Sequence, residues 1–187
     1  MTRVTLPHLR DEYRLIHART DVGMMIGEQI LYWVWNIQDL ALDVKEELNI
    51  LDFGCGKGYA YKHRQIQNLW NMNKIILYDI GIPEYEKKPP VGEFNAVVSC
   101  DVLEHIPENE IDEVFEYWYA NPNMKFVFAT IAGFPARATL SDGSNAHVTL
   151  KPIEWWIEKI KKYQNCKTEL VYFPEKEKQY GAQVYKI

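Results

Sequence analysis

The sequence has no long hydrophobic run. Its longest apolar stretch covers residues 30–35, far short of the roughly 20 residues that a membrane-spanning helix needs. Residues 1–10 also lack the apolar segment of a secretory signal peptide. The sequence therefore predicts a soluble, cytoplasmic protein.

Cysteine is scarce, and its three copies lie far apart in the sequence. Cys55, Cys100 and Cys166 form an odd, widely spaced set, which is typical of a reduced intracellular protein. No group of cysteines and histidines has the short spacings of a zinc site. We therefore expect no metal site.

Basic residues are too few to suggest a polyanionic partner. Lysine and arginine number 21 against 26 acidic residues, and the net charge is −5. A general nucleic-acid-binding protein usually carries a basic stripe, but the short lysine runs at 87–88 and 159–162 stand among glutamates. The charge balance thus disfavours nucleic acid.

The 187 residues are 47% hydrophobic and fit one domain of ordinary size. Alternating strands and helices predict an α/β fold with a mostly parallel sheet, ending in an antiparallel strand after a tight turn. Residues 1–23 are expected to form an N-terminal cap, and 131–150 a long loop. The strands are expected over 49–53, 74–78, 94–100, 124–130, 168–173 and 179–187. The helices are expected over 11–18, 24–48, 58–70, and after Pro107 and Pro152.

The most informative motif is the run LDFGCGKG at residues 51–58, where the first predicted strand ends. Its glycines let the backbone approach a nucleotide-like ligand, but their G-x-G-x-G spacing differs from that of dinucleotide-binding proteins. Asp79 follows Gly58 by 21 residues, at the end of the next strand, a distance that suits recognition of ribose hydroxyls. The motif predicts an adenosine ligand; the alternative is a tight turn with a capping aspartate.

A second motif, DVLEHIP at residues 101–107, follows the third predicted strand. Ligands of open α/β sheets bind outside the carboxyl ends of the strands, where Cys100 and Asp101 fall. Cys100 could suggest a nucleophile, but a cytosine-C5 methyltransferase would have proline before that cysteine, and Ser99 stands there. We therefore expect Cys100 to line a pocket.

Together the two motifs resemble those of class I methyltransferases that use S-adenosylmethionine (SAM). Within that superfamily the chain looks closest to compact phage and bacterial methyltransferase-like proteins, through YRLIH at 13–17 and DGSNAHVT at 142–149. The resemblance implies a Rossmann-like fold, SAM as cofactor and S-adenosylhomocysteine (SAH) as product. The expected cofactor-binding residues are Asp52, Gly54, Cys55, Gly56, Gly58, Asp79, Ile80, Cys100, Asp101 and Val102.

The chain departs from the superfamily pattern after the second strand. Only 14 residues separate Asp79 from Phe94, where a full superfamily sheet places a further helix and strand. The sequence therefore predicts six strands, with other residues forming the wall of the adenine pocket.

Residues expected near the methyl acceptor come from both ends of the chain. His147 is the candidate general base, because imidazole titrates near neutral pH, and Asp101 is expected beside the sulfonium. The alternative for His147 is a loop histidine bound to backbone. The expected substrate-side residues are Tyr13, His17, His105 and Trp155. The alternative for Tyr13 and His17 is packing against the core. The alternative for His105 is bracing of a loop, and for Trp155 an exposed aromatic side chain.

The predicted function is methyl transfer from SAM to a small molecule or a protein side chain. Residues 101–104 lack the D/N-P-P-Y/F pattern of amino-directed DNA methyltransferases, which agrees with the charge balance. One alternative is a non-catalytic protein that binds SAM or a nucleoside, as a sink or regulator. Another is a nicotinamide-dependent oxidoreductase, which the glycine spacing disfavours. The acceptor atom and the oligomeric state stay open.

Overall fold

The structure is a computed structural model that describes residues 6–18, 27–70, 72–163, 166–175 and 182–187. Within these ranges no helix has both the length and the apolar character needed to cross a membrane.

A six-stranded sheet forms the centre of the described fold. Its strands are β1 (Asn49–Phe53), β2 (Lys74–Tyr78), β3 (Ala96–Cys100), β4 (Phe126–Ala132), β5 (Lys167–Phe173) and β6 (Gln183–Lys186). They lie in the order β2-β1-β3-β4-β5-β6. The first five are parallel, and β6 runs antiparallel to β5. This confirms the predicted mixed sheet with an antiparallel C-terminal strand.

Helices cover both faces of the sheet. They are α1 (Leu6–Ala18), α2 (Val34–Leu42), α3 (Tyr59–Arg64), α4 (Ile111–Tyr119) and α5 (Ile153–Ile160). On one face, α4 and α5 pack against the side chains of alternate strand residues such as Leu51, Val97 and Val127. On the other, α2 and α3 pack against Ile50 and Val98. This alternation is expected for a parallel sheet buried on both sides.

Two helices are shorter than predicted. Instead of one helix over 24–48, a 3-10 turn at Gln29–Trp33 leads into α2, which ends at Leu42; residues 24–26 lie outside the described ranges. The helix ends in a turn in which the Val44 N–H donates to the Ala41 carbonyl (3.1 Å), and Leu48, just before β1, is fully buried. The helix after Gly58 ends at Arg64 because Gln65 has a left-handed backbone (φ 50°). A 3-10 turn, Ile66–Leu69, follows.

The connection after β2 is short, as predicted. Residues 79–95 contain turns and one 3-10 turn, Val91–Glu93, but no strand or α-helix. The backbone of Asp79 is held by the carbonyl of Tyr85 (3.1 Å). β2 is therefore an edge strand of the described sheet.

Helix α1 packs against the loop that follows β4. Buried side chains of α1, Leu9, Tyr13 and Ile16, form a cluster with Ala138, Leu140 and Ala146. At the tip of the β2 connection, a Cβ on Gly81 would lie 2.6 Å from His17 Cδ2 and 2.8 Å from Tyr13 Cβ. The absence of a side chain at Gly81 therefore allows α1 to dock this closely.

We expect Gly81→Ala to loosen α1, because the added methyl meets the backbone and Cβ of Tyr13. Overpacking of this kind costs about 1–3 kcal/mol. Hydrogen exchange of amides in residues 6–18 should accelerate accordingly. Gly92→Ala is the matched control, since a Cβ there meets nothing within 4 Å. Equal protection of residues 6–18 in both variants would contradict this account of the docking.

Candidate functional site

A cavity of about 790 Å³ opens at the carboxyl ends of the central strands. The loops after β1, β2, β3 and β4 form its walls, and α1 covers part of it. Thirteen of the residues expected at the site line this cavity: Tyr13, His17, Asp52, Gly54, Cys55, Gly56, Asp79, Ile80, Cys100, Asp101, Val102, His105 and His147.

The carboxylate of Asp79 joins three segments at one end of the cavity. Its Oδ2 accepts the backbone N–H of Gly56 (2.9 Å), and its Oδ1 accepts that of Gly81 (2.8 Å). His17 Nε2 lies 3.4 Å from the same Oδ1. One buried acid thus fixes the glycine turn, the next loop and α1 relative to one another.

Asp52 is buried at the base of the glycine turn, with 4% of its surface exposed. Burial raises the pKa of this carboxyl to about 7; the charge of Asp79 adds to the rise and the Tyr61 hydroxyl opposes it. A cationic group placed next to Asp52 would favour its ionised form. The site is therefore suited to a positively charged ligand group.

The two sequence motifs touch each other at Gly54 and Val102. Gly54 has a left-handed backbone (φ 90°), and a Cβ there would lie 2.2 Å from Val102 Cγ2. Only glycine fits both the conformation and the space. The turn and the segment after β3 thus form one continuous wall of the cavity.

Asp101 has a left-handed backbone (φ 55°), a conformation that aspartate tolerates better than most residues. The Thr130 hydroxyl hydrogen-bonds both the backbone and the side chain of Asp101. The Asp101 N–H donates to Thr130 Oγ1 (3.0 Å), and that hydroxyl donates to Asp101 Oδ1 (2.6 Å). Burial raises the pKa of the Asp101 carboxyl.

Two histidines that line the cavity contact each other. The ring centroids of His105 and His147 are 4.6 Å apart and nearly perpendicular. The Nδ1–H of His105 donates to the Ala146 carbonyl (2.9 Å), and that of His147 donates to the Phe134 carbonyl. Burial lowers the pKa of His105 to about 3 and also lowers the pKa of His147. Both rings are therefore neutral near pH 7, with a lone pair on Nε2.

Tyr13 connects α1 to this histidine pair. Its hydroxyl lies 3.0 Å from His105 Nδ1 and 3.3 Å from the carbonyls of His105 and Ala146. Burial raises the pKa of Tyr13, so the hydroxyl keeps its proton. Helix α1 therefore contacts the histidine pair through Tyr13 and Asp79 through His17.

Glu104 is a site residue that the sequence analysis did not assign. It is fully buried and lines the cavity. Its Oε1 accepts the backbone N–H of Ala132 (3.1 Å), and burial raises its pKa well above the usual range. Its position next to His105 in DVLEH indicated a place near the site, but a glutamate in a helix-opening segment is ordinarily solvated.

Glu104, His105 and His147 form a cluster of metal-ligand type. One candidate ligand atom from each lies within 4.8 Å of the others. The expectation of no metal site was based on spacing along the chain. That spacing could not show a cluster in which His147 follows His105 by 42 residues and is brought beside it only by the fold.

The cavity thiols are not activated as nucleophiles. Burial raises the pKa of Cys55 and of Cys100, so both stay protonated near neutral pH. This agrees with the expectation that Cys100 lines the pocket.

Trp155 and Gly58 are not among the residues lining the cavity. The Trp155 ring packs edge-on against Trp156 (4.8 Å between centroids) and lies near Lys159 and Lys151. It faces away because α5 turns Trp156 toward the core. Gly58 precedes α3 with a left-handed backbone, so its role lies in the shape of the turn.

Comparison with known proteins gives one family. A family model described as "Methyltransferase domain" matches residues 27–166. No curated protein and no solved structure gives a significant match. The closer resemblance to phage and bacterial proteins therefore stays a prediction.

We expect Gly54→Ala to destabilise the protein more than Gly143→Ala. Both glycines have a positive φ, near 90° and 82°, but a Cβ on Gly143 meets nothing within 4 Å. The two variants share the left-handed strain of roughly 1–2 kcal/mol, and only Gly54→Ala adds a clash with Val102, worth about 1–3 kcal/mol. Urea unfolding measures the difference. Equal losses would mean that the two motifs are not in close contact.

Proposed function

The chain belongs to the methyltransferase domain family, and from that premise we propose that it binds SAM in the cavity and methylates a small molecule or a protein side chain. The family is that of class I methyltransferases, which use SAM. The observation that carries the proposal is that the glycine turn, Asp52 and Asp79 line the same cavity as a neutral histidine pair.

We assign the ribose of SAM to Asp79. A carboxylate offers about four lone-pair sites, and three already face Gly56, Gly81 and His17. Bidentate binding of the two ribose hydroxyls therefore requires His17 to withdraw from the carboxylate. Because His17 belongs to α1, cofactor binding would shift the N-terminal cap.

We assign the methionine end of SAM to Asp52 and the glycine turn. SAM carries an ammonium group there, and a buried carboxyl with a pKa of about 7 gains most from such a cation. Backbone at Gly54 and Gly56 lines the same end of the cavity without side chains. Ile80, Cys100 and Val102 would complete the cofactor pocket.

The acceptor would bind at the histidine end. Methyl transfer is an in-line displacement, so the protein must chiefly align the acceptor with the S–CH₃ bond, an effect that can lower the barrier by roughly 7–11 kcal/mol. The free Nε2 of His147 is the proposed proton acceptor, with Asp101 beside it. Tyr13 and His105 would border the acceptor.

The charges lining the cavity support a small molecule or a protein side chain over nucleic acid. The acidic side chains there are Asp52, Asp79, Asp101, Glu104 and Glu175, and the lysine and arginine side chains are Lys88 and Arg137. Phosphate groups are usually met by clusters of lysine and arginine.

Calorimetric titration with SAM, SAH and NADH tests the cofactor assignment. We expect micromolar binding of SAM and SAH and none of NADH, with Asp79→Ala weakening SAH tenfold or more. Circular dichroism of Asp79→Ala should accompany it, because this residue also holds two loops. Binding of NADH with no binding of SAH would overturn the assignment. Incubation with SAM and a panel of acceptors, with SAH release as the readout, distinguishes an enzyme from a non-catalytic SAM-binding protein.

A sharper prediction concerns Asp52 and pH. In the ligand-free protein Asp52 is protonated below about pH 7, whereas binding of the SAH ammonium requires the ionised carboxylate. The SAH affinity should therefore fall by up to about tenfold per pH unit below 7. Asp52→Asn should weaken SAH at pH 8 and flatten this dependence.

The matched ligand control is 5′-methylthioadenosine, which lacks the amino-acid end. Its affinity should be unchanged by Asp52→Asn and should show no such slope between pH 5.5 and 8. If Asp52→Asn weakens both ligands equally, Asp52 acts on the fold of the turn and not on the ammonium.

A further inference from the structure

We propose that Glu104, His105 and His147 bind a divalent transition-metal cation at the acceptor end of the cavity. One ligand atom of each side chain lies within 4.8 Å of the others. All three residues line the cavity, so a bound cation would be reachable from the space where an acceptor binds.

Both imidazoles are oriented as metal ligands usually are. A histidine that binds a metal typically donates its other ring N–H to a carbonyl or a carboxylate, which fixes the tautomer. His105 donates Nδ1–H to the Ala146 carbonyl, and His147 donates Nδ1–H to the Phe134 carbonyl. Each ring therefore has Nε2 left for a cation.

Glu104 supplies the second, independent observation. Its Oε2 is buried and has no hydrogen-bond partner among the residues that the structure describes. The distance from Glu104 Oε1 to His147 Nε2 is 3.9 Å, too long for a hydrogen bond, so the carboxylate and the ring do not satisfy each other. An unpartnered buried carboxylate oxygen is costly, and a cation would remove that cost.

The ligand set selects the class of cation. Two imidazoles and one carboxylate are typical of catalytic zinc and of non-haem iron sites, whereas magnesium prefers oxygen ligands in octahedral geometry. Zinc ligands lie about 2.0–2.2 Å from the ion, so binding would draw the three side chains together. With an ion bound, His147 Nε2 would be a ligand and would no longer accept the proton; the ion would instead acidify an acceptor hydroxyl bound to it, a consequence that rests on the proposed function.

The test uses the full-length protein after treatment with EDTA. Titration with Co²⁺ should give visible d–d absorption that saturates at one ion per chain, and Zn²⁺ should displace it. Mg²⁺ at millimolar concentration should not. SAH binding is measured on the same metal-free sample, so that loss of the cofactor site is distinguished from loss of the metal site.

Two variants and one control localise the ion. His147→Asn removes Nε2 while retaining an N–H donor near Nδ1, and Glu104→Gln keeps the size of the side chain. Each should weaken Co²⁺ at least tenfold, with a folded circular dichroism spectrum. The control variant His63→Gln replaces an exposed histidine. It should bind Co²⁺ with the same affinity as the unaltered protein. Absence of Co²⁺ absorption, or affinity unchanged in both folded variants, would overturn the proposal.

Discussion

The carboxylate of Asp79 is the contact on which the rest of the site depends. It accepts backbone N–H groups from Gly56 and Gly81 and faces His17. These contacts join the loops after β1 and β2 to α1, which in turn reaches the histidine pair through Tyr13. Because a buried carboxylate needs such donors, the acid and the three segments stabilise one another. This one side chain therefore links the glycine turn, the loop after β2 and α1.

Acidic side chains are concentrated around this cavity, and they favour a ligand that carries positive charge. Asp52, Asp101 and Glu104 line it together with Asp79, and burial raises the pKa of the first three. A cation placed beside any of the three would favour its ionised form. SAM would bring an ammonium and a sulfonium, and the proposed metal ion would bring two further positive charges. Both proposals thus place positive charge beside buried acidic side chains of one cavity.

Features encoded by local pattern could be predicted from the sequence, and features produced by long-range contact could not. The helical stripe of α4, including Ile111 and Trp118, is buried as its 3.6-residue period indicates. The early end of α3 depends on the left-handed Gln65, which no periodicity reveals. The neighbours Glu104 and His105 were visible in DVLEH, but their meeting with His147 requires the complete sheet. Trp155 was assigned to the substrate side because it lies off the core stripe of its helix. That position does not show in which direction the side chain points.

The short connection after β2 and the N-terminal helix act as one unit. Without a further strand and helix, the carboxyl end of β2 would stand open beside Asp79. Instead α1 occupies that side: it lies against Gly81, its Arg14 pairs with Glu86 of the short connection, and His17 faces Asp79. The family match begins at residue 27, so α1 lies outside it. On the proposed function, the adenosine side of the pocket is therefore completed by a segment that precedes the matched region.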